Sequence, residues 1–145
     1  MSVGPRGTMA AHHLFAYGTL MCTDIMCMVA RSVCASRSAV VLGYRRRRLQ
    51  GECYPAIVPC GGDSVEGVVY ADVPEAAWER LDAFEGELYQ RVRVNAASLD
   101  GQRVAAFAYV LKPQFAHLLS DTPWSLEQFI RDGKESFAAE VRARL

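Results

Sequence analysis

Two glycine turn signals, Gly61-Gly62-Asp63 and Asp100-Gly101, punctuate runs rich in β-branched and aromatic residues, and they constrain the fold more than any other feature of this chain. Gly and Asp reverse a backbone at low cost, so the runs beside each signal are expected to pair as antiparallel hairpins. Strands are predicted over residues 54–58 and 64–73 around the first signal, and over 89–96 and 102–111 around the second. Residues 39–48 also read as extended. An earlier apolar run, Leu14-Phe15-Ala16, closes in Tyr17-Gly18-Thr19-Leu20-Met21, the pattern of a strand that stops abruptly. With three helices added, hairpin-connected strands point to an α+β fold whose curved sheet closes into a barrel.

The helices are signalled by caps and by 3.6-residue periodicity. Thr23 or Asp24 is a candidate cap for a helix bearing Ile25, Met26, Met28, Val29 and Val33 on its apolar positions. Pro74-Glu75 opens a second helix that buries Trp78, Leu81 and Phe84 and ends at Gly86, which puts Glu85 in its last turn. Ser125 with Gln128 resembles a capping box for a third, running through Phe129, Ile130, Phe137 and Val141, with Gly133 as a candidate interruption. Residues 1–12 hold Gly4, Pro5 and Gly7 without periodicity and are expected to form a mobile leader, with Met9 an alternative start. A single domain is expected over residues 13–145.

Composition narrows the partners. Sixteen basic and sixteen acidic residues cancel, so no global field draws in nucleic acid or an anionic membrane. No apolar run approaches the ~20 residues of a membrane-spanning helix. Cys22, Cys27, Cys34, Cys53 and Cys60 form no CxxC pair and follow no secretory segment, which favours a reducing cytoplasm and cysteines at small core positions. With His12, His13 and His117 as the only histidines, no metal site and no cofactor are expected. The run Arg45-Arg46-Arg47-Arg48 suggests a nucleic-acid surface, but alternate residues of a strand face opposite ways, and a solvated edge is the preferred reading.

The turn after the first strand is the leading binding candidate. Gly18 permits close backbone approach, and the N–H groups of Gly18, Thr19 and Leu20 form a concavity suited to a carboxylate or phosphate. Neither GxxxxGK[ST] nor GxGxxG is present, which argues against a nucleotide.

The combination Phe15-Ala16-Tyr17-Gly18-Thr19-Leu20, Tyr54-Pro55-Ala56-Ile57, Val65-Glu66-Gly67-Val68-Val69-Tyr70 and Leu81-Asp82-Ala83-Phe84-Glu85-Gly86 with Tyr89-Gln90-Arg91 resembles the γ-glutamylcyclotransferase-like family. Within it, the chain looks closest to the branch of γ-glutamylamine cyclotransferases and plant avirulence-induced proteins. The resemblance implies a small mixed β-barrel of about five to seven strands with flanking helices. It also implies release of 5-oxoproline from a small-molecule γ-glutamyl substrate by internal cyclisation, with ε-(γ-glutamyl)-lysine as one substrate type. By the same resemblance Tyr17, Gly18, Thr19 and Leu20 hold the substrate's α-amino-acid end, and Glu85 is catalytic.

Such a reaction asks little of the protein. The substrate's own α-amine attacks its γ-carbonyl, so the tasks are to hold the reactive rotamer, move a proton and stabilise the oxyanion. Glu85 is the candidate acid and base, with Glu87 near in sequence and Trp78 and Phe84 expected to supply apolar surroundings that raise its pKa. Asp82 and Glu87 are the competing acids. Tyr54, Tyr89 and Arg91 are further substrate-binding candidates, as an aromatic wall or hydrogen-bond donors. A non-catalytic domain binding an amino-acid-like ligand in the same cavity remains the alternative.

Overall fold

The computed structural model describes residues 12–145. The expectation of a leader falls mostly on residues outside that range, and the first strand, β1 (His12–Ala16), begins one residue before the expected start of the domain. It is followed by a 3₁₀ turn (Thr19–Met21), α1 (Thr23–Ala30), β2 (Ser36–Arg48), β3 (Pro55–Val73) and α2 (Glu75–Glu85). Then come β4 (Tyr89–Ser98), β5 (Arg103–Leu111), a 3₁₀ segment (Pro113–Leu118), α3 (Leu126–Asp132) and α4 (Lys134–Arg144).

The strands form a closed barrel in the order β1-β3-β2-β4-β5. All neighbours are antiparallel except β1 and β5, which meet in parallel at Leu14 and Phe107 and close the circuit. Closure removes both sheet edges, which an open sheet would have to protect.

The Asp100-Gly101 signal makes its turn: Gly101 sits at φ 87° and the Ser98 N–H bonds the Gln102 carbonyl at 2.9 Å. Gly61-Gly62-Asp63 does not, and the two strands expected beside it are one strand, β3. Pairing with β2 runs to Leu42 opposite Ser64 and resumes at Tyr44 opposite Pro59, so Gly43 faces the whole of residues 60–63. Gly43 and Gly62, at φ 86° and 91°, absorb the mismatch as a bulge rather than a reversal. The actual reversal between β2 and β3 is at Gly51, where the Leu49 N–H bonds the Tyr54 carbonyl at 3.1 Å.

Alternation along the strands separates two apolar regions. Phe15, Val41, Ile57, Val69, Val94 and Ala108 belong to a cluster drawn from all five strands and no helix, which fills the barrel. Leu14, Tyr70, Tyr109 and Leu111 face the other way and pack with Ile25, Met26, Leu81, Phe129 and Val141 of the helices.

The helices follow their signals with two corrections. α1 stops at Ala30 because Arg31 takes the left-handed conformation, φ 55°, and Val33, expected on its apolar face, is 89% exposed. Its cap position is Cys22, without a capping side chain, while the Asp24 carboxylate accepts the Ile25 N–H. In contrast, the Ser125 hydroxyl accepts the Gln128 N–H as expected, and Gly133 divides α3 from α4. Among the described residues no helix is long and apolar enough to cross a membrane.

Candidate active site

A cavity of about 120 Å³ opens where the end of β1 meets the last turn of α2 and the C-terminal helix. One wall is the turn Tyr17-Gly18-Thr19-Leu20 with Pro55, Tyr89 and Tyr109; the other carries Phe84, Phe137 and Arg144, with Tyr54 and Glu85 also lining the space.

Contacts from distant strands hold the turn in place. The Tyr17 hydroxyl donates to the Tyr109 carbonyl at 2.6 Å, and the Tyr70 hydroxyl donates to the Leu20 carbonyl at 2.6 Å. The Arg46 guanidinium donates to the carbonyls of Tyr17 and Glu66, each at 2.8 Å. Gly18 is required by close approach rather than by positive φ: a Cβ there would stand 3.0 Å from two ring carbons of Pro55. The 3₁₀ turn makes its first bond from the Met21 N–H to the Gly18 carbonyl, so the amides of Thr19 and Leu20 have no acceptor within the turn. Such unpartnered amides are suited to an anion.

Glu85 is the last residue of α2 and is half-buried at the cavity. Gly86 ends the helix at φ 80°, with its N–H on the Asp82 carbonyl at 3.0 Å. Desolvation, with the negative charge of Asp82 second, pushes the Glu85 carboxyl up to about 8. Glu87 is exposed and is not among the causes, and Trp78 does not line the cavity; Phe84 and the neighbouring rings supply the apolar surroundings instead.

Asp82 lies one turn earlier and has a different environment. It accepts the Tyr109 hydroxyl at 2.7 Å and faces Arg91 at 3.7 Å. Tyr109 thereby links Asp82 to the loop, since its carbonyl holds Tyr17 and its hydroxyl holds Asp82.

The remaining sequence candidates divide. Tyr89 lines the cavity and donates its hydroxyl to the Pro55 carbonyl at 3.0 Å, and Tyr54 lines it with its ring edge-on to Phe137, centroids 6.1 Å apart. Arg91 does not line it. Its guanidinium lies over Trp78 and Phe107, 4.9 and 5.1 Å from the ring centroids, and neither ring belongs to the cavity.

Arg46, read from sequence as part of a solvated edge, is instead the clamp on the Tyr17 carbonyl, and its guanidinium lies 5.3 Å from the Trp124 ring centroid. Its neighbours do fit the surface reading: Arg45 pairs with Asp63 at 2.6 Å and Arg48 donates to the Glu52 carbonyl. No local signal marks Arg46, whose acceptors are 29 and 20 residues away. Phe137 and Arg144 were also missed. Helical periodicity from Phe84 and Tyr54 cannot reveal which later helix packs on them. Among the described residues, no group of three His, Cys, Asp or Glu side chains converges as a metal-ligand cluster.

Known proteins resemble this chain in sequence and in fold. A family model described as gamma-glutamyl cyclotransferase, AIG2-like, matches residues 14–126. AIG2-like protein C of Arabidopsis thaliana is 30% identical over 139 residues, covering 92% of this chain and 77% of that protein. An Arabidopsis thaliana protein solved in solution superposes with a TM-score of 0.70 at 29% identity, over 90% of this chain and 88% of that one. A solved gamma-glutamyl cyclotransferase shares the fold at 18% identity, with a TM-score of 0.62 over 92% of this chain and 87% of that chain.

Proposed function

The chain belongs to the gamma-glutamyl cyclotransferase, AIG2-like family, and on that footing we propose that it releases 5-oxoproline and an amine or amino acid from a γ-glutamyl amide, with Glu85 as general base and acid. One observation carries the reading: a carboxyl raised to about 8 shares a cavity with a turn that is held from three strands and whose Thr19 and Leu20 amides have no acceptor within the turn.

In this mechanism the amides of Thr19 and Leu20 hold the α-carboxylate, which sets the α-nitrogen toward Glu85. The Glu85 carboxylate takes a proton from the α-ammonium. The freed amine attacks the γ-carbonyl carbon, forming the ring C–N bond and an oxyanion. As the intermediate collapses, Glu85 returns the proton to the leaving nitrogen and the original amide C–N bond breaks; the second proton of the ring nitrogen then passes through the same carboxylate to the departing amine, so the lactam keeps one N–H, the amine leaves as its ammonium and the carboxylate is regenerated. Attack within one molecule supplies much of the rate, since effective molarities of ~10⁵ M are attainable for well-oriented groups. A carboxyl near 8 is matched to an amine far better than an ordinary glutamate, so neither transfer is steeply uphill.

The test is product formation. Glu85→Gln is expected to lower 5-oxoproline release from γ-glutamyl amides by ~100-fold or more, the scale of lost acid–base catalysis, while its melting temperature is no lower than that of wild type. Wild-type kcat/KM should rise with pH along a limb near 8, because the ionised carboxylate starts the reaction. Undiminished turnover by the Gln variant would overturn the assignment. Tight binding of γ-glutamyl amides with no turnover by the wild type would favour a ligand-binding domain.

A further inference from the structure

The cavity holds one cation that this mechanism does not use. Arg144, the last residue of α4, lines the cavity beside Phe84, with its guanidinium 5.9 Å from the centroid of that ring. The other arginines near the site are committed elsewhere: Arg46 to two backbone carbonyls, and Arg91 to Asp82 and the Trp78 face. Arg144 takes part in none of the ion pairs among the described residues, and its side chain is exposed at the cavity mouth.

We propose that Arg144 is a specificity-determining residue that reads a carboxylate on the leaving group, so that γ-glutamyl amino acids are preferred over γ-glutamyl derivatives of simple amines. This rests on the cyclisation reading. If the turn's amides hold the α-carboxylate and Glu85 faces the α-nitrogen, the glutamyl portion spans from the turn to Glu85. The scissile nitrogen and its substituent then extend toward Phe84, Phe137 and Arg144. A guanidinium suits that position because its planar fork donates to both carboxylate oxygens, and the Phe84 face limits how far it swings. The three aromatic side chains Tyr54, Phe84 and Phe137 around it admit an apolar or aromatic body on the leaving group, while Arg144 selects for the acid it carries.

The experiment uses a matched pair of amides, γ-glutamyl-alanine and γ-glutamyl-ethylamide, whose leaving groups differ by one carboxylate. Wild-type kcat/KM for 5-oxoproline release should favour γ-glutamyl-alanine by about tenfold, the scale of a partly exposed charge pair. Arg144→Gln should bring the ratio near one, Arg144→Lys should retain part of it, and Arg144→Glu should invert it, each folding normally. A wild-type ratio near one, or an unchanged ratio in Arg144→Gln, overturns the proposal.

Calorimetric titration of the same pair into Glu85→Gln and into the Glu85→Gln, Arg144→Gln double variant separates this question from catalysis. Absence of product from both amides in the wild type would sink the cyclisation reading, and the ratio of dissociation constants would still decide Arg144. Tenfold discrimination lost in the double variant supports the assignment. Equal binding of the two amides, or binding of neither, refutes it.

Discussion

The two walls of the cavity are built on opposite principles. The turn wall is held through its own backbone: Arg46, Tyr70, Tyr109 and the Pro55 ring each restrain one point of the Tyr17–Leu20 segment, and they come from β2, β3 and β5. The helical wall is a set of side chains, Phe84, Phe137 and Arg144, in contact by ring edges and a guanidinium face. Backbone held from several strands has one geometry, whereas side chains at helix ends adjust and vary. The first arrangement suits a group common to every substrate and the second suits the group that differs.

Removing the strongest restraint should break this contrast most severely. Arg46→Met leaves two carbonyls without their donor and should cost roughly 2–3 kcal/mol in denaturant titration. Activity should fall for all substrates alike if, as proposed, the turn binds the part common to them. Tyr70→Phe deletes a single buried bond to the Leu20 carbonyl and is expected to cost about 1 kcal/mol, with a uniform several-fold loss of kcat/KM. Phe137→Leu, on the other wall, should lower stability by about 1 kcal/mol or less and change the ranking among leaving groups rather than the overall level. A uniform loss from Phe137→Leu, or a reordering of substrates by Tyr70→Phe, would erase the distinction between the walls.

A separate test, read as a trend with pH, concerns the acid between them. The Glu85 carboxyl titrates near 8 in the folded protein and near 4.5 when unfolded, so between these values the folded state holds more protons. Stability therefore falls with rising pH across that window, and the loss is complete above about 8. Glu85→Gln removes this dependence, so its melting temperature relative to wild type should climb from pH 4.5 to pH 8 and level off beyond. A difference that does not change with pH would mean that the folded protein leaves this carboxyl unperturbed.

The helices and most strands were legible because their signals are local. Gly86 ends α2 and leaves Glu85 at its tip, and Ser125 caps α3, within one or two turns of chain. Asp100-Gly101 makes the turn its composition predicts. Gly61-Gly62-Asp63 misled because glycine at positive φ serves a bulge as well as a reversal, and the choice depended on whether β2 paired on both sides. Arg46 was illegible for a similar reason. Alternation says only that successive arginines of β2 face opposite sides, and closure of the barrel decides which of them meets the turn.

The sequence by itself determined the pieces of the site: a strand ending in a glycine turn, an acid at a helix end, and the tyrosines and phenylalanines nearby, all specified by short-range propensity and spacing. The tertiary structure alone decided their electrostatic and recognition character. Parallel contact of Leu14 with Phe107 closes the barrel, Tyr109 then meets both Tyr17 and Asp82, and α4 folds back to add Phe137 and Arg144. Burial and charge act through space, so the upward shift of Glu85 arises only once distant segments surround it.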